Sequence, residues 1–298
     1  MAVEVYDGLP DTGLAAIAEF ARALRDEVRE RHPDHALVLN ITGGNKLMTL
    51  AFFAAFRSTA ERIVYTDTEH RSLETLRPGP DGAERIPLPD VLDVPTYLAA
   101  QGFLYEGARS DAPAWQRLAR ERAELTRALA GRAHDLGALL RELNYLAREA
   151  LDERGEELLA PSQTLRRVPP FPWVGLLRQA AALGILVWDG AREVSFRDAD
   201  AARYLGGAWL EEFAWLAASQ LRPADARCGA KGRWEGAEEA RNELDLVLVH
   251  ANRLLLVECK TLRLGVNEAR DQEILYKLDS LGEDVRSLPL SRLRREVC

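Results

Sequence analysis

The segment NELDLVLVHANRLLLVECKT, residues 242–261, sets Asp245, Glu258 and Lys260 among residues that are mostly Leu and Val. Charged side chains in an apolar strand pair are costly unless they are paired or bind something. With Ala251 and Asn252 as the turn, counting outward puts Asp245 opposite Glu258. Directly opposed Cβ atoms lie about 4.5–5.5 Å apart. Alternation along a strand then gives Lys260 the face of Glu258, with Glu243 on the face of Asp245 and opposite Lys260. Two carboxylates so close repel unless a cation or proton sits between them. A hard divalent ion, Mg²⁺ or Mn²⁺, suits such oxygen ligands. Bound there, it activates water and neutralises a phosphorane-like transition state. Lys260 is placed to hold the attacking hydroxide or the scissile phosphate, and the Cys259 carbonyl is a further candidate ligand. This is chemistry for phosphodiester hydrolysis. The bland alternative is a surface hairpin with a Glu243–Lys260 ion pair, which contributes little to stability.

The elements that must position these groups follow from periodicity. A helix, GGAWLEEFAWLAASQL, precedes two strands at 244–250 and 253–260, and another helix is expected near 267–281. Trp209, Leu210, Phe213 and Leu216 form the apolar face of the first helix, which Glu212 flanks more closely than Glu211. Upstream, residues 115–154 are charged and helical. Trp115, Leu118, Leu125 and Leu129 lie on one side, a stripe that Arg122 interrupts with its stem laid along it. A helical spacer or hairpin is the preferred reading, with a dimer seam second. VPPFPW at 168–173 breaks the helix. The helix and hairpin that follow, turning at DGA, suggest a small winged-helix-like linker.

At the N-terminal end, GLAAIAEFARALRDEVRER reads as a helix, ALVLNI and RIVYT as strands, and LMTLAFFAAFRS as a helix between them. A turn-rich tail runs to about residue 95. This alternation argues for a parallel sheet flanked by helices. Only about three strands are expected in roughly 100 residues, VEVYD among them, where a doubly wound sheet has five or six. The start of this domain is therefore expected to be missing, and the last unit to be cut short at Cys298.

NITGGNKLM joins strand to helix. Such a loop offers free backbone N–H groups and the positive end of a helix dipole to an anion. Gly43 and Gly44 permit close approach, and Thr42, Asn45 and Lys46 add donors, so a phosphate-bearing ligand fits. A loop that carries glycine for turning alone is the competing reading.

Composition excludes several classes. With 47% hydrophobic and 29% charged residues, the 298-residue chain is able to bury a core and stay in solution. No apolar run approaches the roughly 18 residues a membrane span needs, and no signal peptide is evident. Three scattered cysteines, Cys228, Cys259 and Cys298, give neither a disulfide framework nor a zinc motif, which fits a reducing cytoplasm. There is no GxSxG elbow and no full Walker loop. A net charge of −8 does not fit a protein that holds nucleic acid constitutively, so binding is expected to be local or switched on.

The D…ExK arrangement of Asp245, Glu258 and Lys260 resembles the PD-(D/E)xK nuclease superfamily. The acid of its preceding helix corresponds to Glu211, with Glu212 left open, and QEILY resembles the superfamily's QxxxY pattern through Gln272 and Tyr276. With NITGGNKLM, IVYTDT and YLAAQGF upstream, the chain resembles the CARF-nuclease family of type III CRISPR defence. The resemblance implies an α/β architecture: a Rossmann-like CARF domain over 1–105, a helical and winged-helix-like linker over 106–202, and a restriction-endonuclease-like domain over 203–298. It implies a homodimer whose Thr42, Gly43, Gly44, Asn45 and Lys46 contact a cyclic oligoadenylate, most often cyclic tetra-adenylate, as allosteric activator. It also implies a Mg²⁺- or Mn²⁺-dependent endonuclease cutting DNA, RNA or both, with Asp245 and Glu258 as metal ligands, Glu211 assisting and Lys260 positioning the nucleophile. Two alternatives stay open: an ungated restriction or repair nuclease, and a non-catalytic ligand-sensing regulator.

Overall fold

The computed structural model describes residues 5–77, 85–235 and 242–260. The chain divides into two compact units, Met1–Asp90 and Val91–Cys298.

The first unit opens with α1 (Leu14–Arg31), which buries Ile17 and Ala21. Then come β1 (Val38–Asn40), α2 (Lys46–Phe56) and β2 (Arg62–Asp67), a β-α-β unit in which β1 and β2 pair in parallel, as the alternation predicts. The expected turn-rich tail is different: β3 (Ser72–Arg77) and β4 (Arg85–Pro87) continue the sheet antiparallel, in the order β1-β2-β3-β4. Residues 5–10, within or beside the expected VEVYD strand, are not in a strand. Ala21, Ile41, Ala55, Phe56, Ala60 and Ile63 form the core between helices and sheet.

The second unit begins with α3 (Val94–Ala100) and β5 (Phe103–Ala108). A domain boundary at residue 105 would cut β5, which pairs antiparallel with β9 (Asp225–Trp234) of the same unit. The stretch expected as a helical spacer or hairpin is three helices: α4 (Pro113–Glu121), α5 (Ala123–Gly131) and α6 (Gly137–Ala150). Next follow β6 (Ser162–Thr164), α7 (Phe171–Ala182), β7 (Leu186–Trp188), β8 (Glu193–Phe196) and α8 (Ala199–Arg203). The three strands form a small antiparallel sheet, β6-β8-β7, over a core with Leu129, Leu143, Leu177, Ile185 and Phe196. Helices and this small sheet stand where the winged-helix-like linker is expected.

A π-helical turn, Tyr204–Ala208, leads into α9 (Trp209–Gln220). The terminal sheet runs β11-β10-β9-β5, with β10 (Asn242–His250) and β11 (Arg253–Val257) as the hairpin. Sequence periodicity misses β9, because in DARCGAKGRW the alternating apolar positions carry mostly small residues, Ala226, Cys228 and Ala230, and two glycines interrupt the run. Its Gly232 lies where a Cβ would collide with the Phe103 ring and the Leu104 carbonyl of β5. On one sheet face lie Val94, Leu98, Phe103, Val247 and Val249; on the other, Trp215, Leu216, Cys228 and Leu246. The expected helix at 267–281, with Gln272 and Tyr276, lies outside the described residues. No described helix is long and apolar enough to cross a membrane.

Candidate active site

The hairpin register is the one the sequence dictates. Leu246 pairs with Val257, Val247 with Leu256, and His250 with Arg253. Ala251 (φ 53°) and Asn252 (φ 56°) are both left-handed, as a type I′ hairpin turn requires. The Asn252 side chain also accepts from the backbone N–H groups of Val91 and Leu92, which fixes the turn on its own unit.

The strands do not alternate regularly throughout. Leu244 packs with Phe103 and Val247, whereas Leu246 packs with Cys228 on the α9 side. Ala230 and Cys228, their partners on β9, switch sides in the same way. Residues two apart on a regular strand share a face, so the alternation breaks at Asp245 and at Gly229 (φ 63°) between those pairs. The break turns Asp245 toward α9. Strict alternation would leave it on the side of Val247 and Val249.

Three predicted residues then meet. Lys260 Nζ lies 2.5 Å from Oε1 of Glu258 and 3.6 Å from Oδ2 of Asp245. The Cys259 backbone N–H donates to Asp245 Oδ2 at 2.7 Å, tying the end of β11 to β10. Asp245 is buried, and the Glu258 side chain is only 3% exposed. Burial lowers the Lys260 pKa, but the hydrogen bond to Glu258 and the charges of Asp245 and Glu258 outweigh it, so the net shift is upward. Burial likewise pushes the Cys259 thiol up, to about 12, so it is inert as a thiolate at neutral pH.

Glu211 and Glu212 part company. Burial raises the Glu211 carboxyl, opposed by Arg109 and reinforced by the Asp245 charge, which places Glu211 within electrostatic reach of the site. Glu212 points elsewhere. Its side chain, 2% exposed, binds Arg122 Nη2 at 2.6 Å and accepts from Thr126 Oγ1 at 2.9 Å. Arg122 also pairs with Asp200 at 2.9 Å and stacks 4.0 Å from the centre of the Tyr204 ring. Arg122, which interrupts the expected stripe, is a buried cation at the junction of α4 and α5. The expected Glu243–Lys260 opposition is not part of the ladder, because β11 ends at Val257; the Glu243 carboxylate instead approaches Arg109 at 3.7 Å, and its register partner on β9 is Lys231.

Arg109, absent from the sequence reading, forms an ion pair with Glu211. It sits in a 3₁₀ turn, Arg109–Asp111, pinned to β9 by Asp111–Arg227 at 2.5 Å and by Cys228 N–H donating to Ser110 Oγ at 2.9 Å. A Cβ on Gly229 would collide with the Arg109 guanidinium, so the glycine clears its path.

The carboxylates of Asp245 and Glu258 are hard oxygen donors that converge on one cation, here the Lys260 ammonium, and the set fits a divalent ion. Among the described residues, no three His, Cys, Asp or Glu side chains form a ready-made metal cage. An ion here would draw the rest of its shell from water, backbone or substrate.

In the first unit, residues 42–46 are exposed at the start of α2. Two of the candidate side chains are engaged internally. Asn45 caps α2, accepting from Leu47 and Met48 N–H, while Thr42 Oγ1 donates to Asn40 and accepts from Thr66 N–H. Gly44 (φ 78°) makes the turn, and nothing stands within 4 Å of where a Gly43 Cβ would be.

The fold sets an α/β unit ahead of a helical region and an antiparallel sheet that carries the clustered acids and lysine, a two-unit α/β architecture. The comparisons carry this further. The family model for the Card1 CARF domain matches residues 11–97, and that for the Card1-like endonuclease domain matches 198–293. The chain is a CARF-domain endonuclease of the Card1 type. The CARF match gives no support to the expectation that the start of this domain is missing. Among solved structures, protein VC1899 from Vibrio cholerae is 24% identical with a TM-score of 0.75, covering 93% of this chain and 70% of that one. Can2 from Sulfobacillus thermosulfidooxidans, in complex with cyclic tetra-adenylate, is 22% identical with a TM-score of 0.65, covering 92% and 69%. At these identities the likeness shows the fold. No curated protein matches.

Proposed function

We propose that this protein is a metal-dependent endonuclease of type III CRISPR defence, switched on by a cyclic oligoadenylate. The convergence of Asp245, Glu258 and Lys260 beside Glu211 in an endonuclease domain carries the reading. Asp245 and Glu258 hold Mg²⁺ or Mn²⁺, which supplies an activated water and screens phosphate charge. Lys260 keeps its proton well above neutral pH and holds a phosphate oxygen or the nucleophile in place. Glu211, braced by Arg109, orients water at the rim.

The activator is cyclic tetra-adenylate or a close relative. Two observations support it: the CARF domain itself, and the exposed strand–loop–helix at Thr42, Gly43, Gly44, Asn45 and Lys46, whose backbone N–H groups and lysine suit phosphate. Since Thr42 and Asn45 shape the loop, contact falls chiefly to the backbone and to Lys46. A twofold messenger is best met by a twofold protein, so the working form is a cytoplasmic homodimer.

Labelled single- and double-stranded DNA and RNA, with Mg²⁺ or Mn²⁺, with and without cyclic tetra-adenylate, test the reading. Cleavage that needs both metal and messenger supports it. Cleavage indifferent to the messenger favours an ungated restriction or repair nuclease, and no cleavage under any condition favours a non-catalytic regulator.

A further inference from the structure

The linker carries a cationic, aromatic pocket that the site chemistry does not use. It encloses about 430 Å³ between the first turns of α6 and α7 and is lined by Ala138, Arg141, Glu142, Arg166, Arg167 and Trp173. The three arginines are exposed. Among the described residues, none of them has a carboxylate partner. Two lie over rings at cation–π distance: Arg166 Cζ is 5.4 Å from the centre of Tyr145, and Arg167 Cζ is 5.0 Å from that of Trp173. A guanidinium held by a ring still has its N–H donors to offer a phosphate. Glu142, the one acid of the lining, accepts the backbone N–H of Arg166 at 2.5 Å and so fixes the loop.

The loop is held at other points too. Arg192 Nε donates to the Leu165 carbonyl at 2.8 Å, and Arg132 donates to the Pro172 carbonyl at 3.1 Å. Beside the pocket stands Phe171, 91% exposed. An unpaired guanidinium cluster with an adjacent bare ring is an unusual surface for a chain of net charge −8. It is the combination that nucleic acid takes: phosphate on the arginines and an unstacked base on the ring.

We infer that Arg141, Arg166 and Arg167, with Phe171, form a docking site for the nucleic-acid substrate, outside the catalytic residues. The inference rests on the endonuclease reading and adds where the substrate is gripped. A locally basic site on an acidic protein gives weak, salt-sensitive binding suited to a gated enzyme.

The test uses the full-length chain, silenced by Glu258→Gln, and fluorescent 20-nucleotide single strands and duplexes over a range of salt. Replacing Arg141, Arg166 and Arg167 by Gln is expected to weaken binding at least about tenfold and to flatten the log–log salt slope by about 2. Phe171→Ala is expected to weaken single strands more than duplexes. In the active background, the triple variant should raise KM with kcat little changed. Unchanged affinity and salt slope would overturn the inference while leaving the nuclease reading intact. So would a loss of self-association without loss of nucleic-acid binding, which marks the patch as a protein interface. Failure of the unmutated chain both to bind and to cut would remove the nuclease reading with it.

Discussion

The ammonium of Lys260 lies 2.5 Å from a carboxylate oxygen of Glu258, and the same nitrogen reaches Asp245 at 3.6 Å. One cation thus serves two acids, one within β10 and one just past the end of β11. Removing either acid should abolish the shared charge site. Asp245→Asn and Glu258→Gln are each expected to lower cleavage by at least about 10²-fold with the fold retained, as judged by circular dichroism. Cleavage within a few-fold of the unmutated rate would remove the residue from the mechanism.

Lys260→Met leaves Asp245 and Glu258 facing one another without a counter-charge. The variant should be less stable than the parent in chelator and should regain stability when Mn²⁺ is added. Cleavage should stay low in both cases. A variant as stable as the parent in chelator would show that the acids do not repel.

The two neighbouring acids of α9 have separable roles. Arg122→Met leaves the buried Glu212 carboxylate without its cation and should cost about 3–5 kcal/mol in urea unfolding, and Glu212→Ala should cost less, because Asp200 still pairs with Arg122. Glu211→Gln should lower activity with little loss of stability. The opposite pattern would exchange the two assignments.

The pH dependence follows from the direction of two shifts. Burial and the Asp245 charge raise Glu211, so its ionised form is lost on acidification at a pH above the ordinary glutamate range. The acid limb of cleavage should sit there and shift in Glu211→Gln. Through this group, folding stability falls as pH rises past the ordinary glutamate range, because the folded state holds the proton longer. Lys260 is raised, so its contribution to stability is complete below the ordinary lysine range and is lost only as pH climbs through the higher folded value.

Gly229→Ala tests the support of Arg109. The residue sits at φ 63°, and its new methyl would strike the guanidinium. A cost of about 1–2 kcal/mol for the backbone alone is expected, with a fall in activity as Arg109 leaves Glu211. Unaltered kinetics would make Arg109 structural only.

What the sequence conveyed depended on whether the signal was local. The β10–β11 register was legible because a two-residue turn fixes every pair outward from it, and Asn252 suits a left-handed turn. The meeting of Asp245 with Glu258 and Lys260 followed from that arithmetic. The side of the sheet did not, because the break at Asp245 and Gly229 depends on two strands at once. β9 escaped because its alternating residues are mostly small, Ala226, Cys228 and Ala230, and because its two glycines answer to close packing under Phe103 and beside Arg109. Arg109 itself had no signal: it is 102 residues from Glu211 and is brought there only by the fold. Glu211 against Glu212 was open for the same reason, since the partner that buries Glu212 is Arg122 on a distant helix.

Titration with Mn²⁺, followed by the loss of the free-ion electron paramagnetic resonance signal, tests the central claim most directly. The unmutated chain is expected to bind the ion, and Asp245→Asn and Glu258→Gln each to weaken that binding at least about tenfold, since each removes one carboxylate from a shared site. Equal affinity in all three proteins would contradict the account.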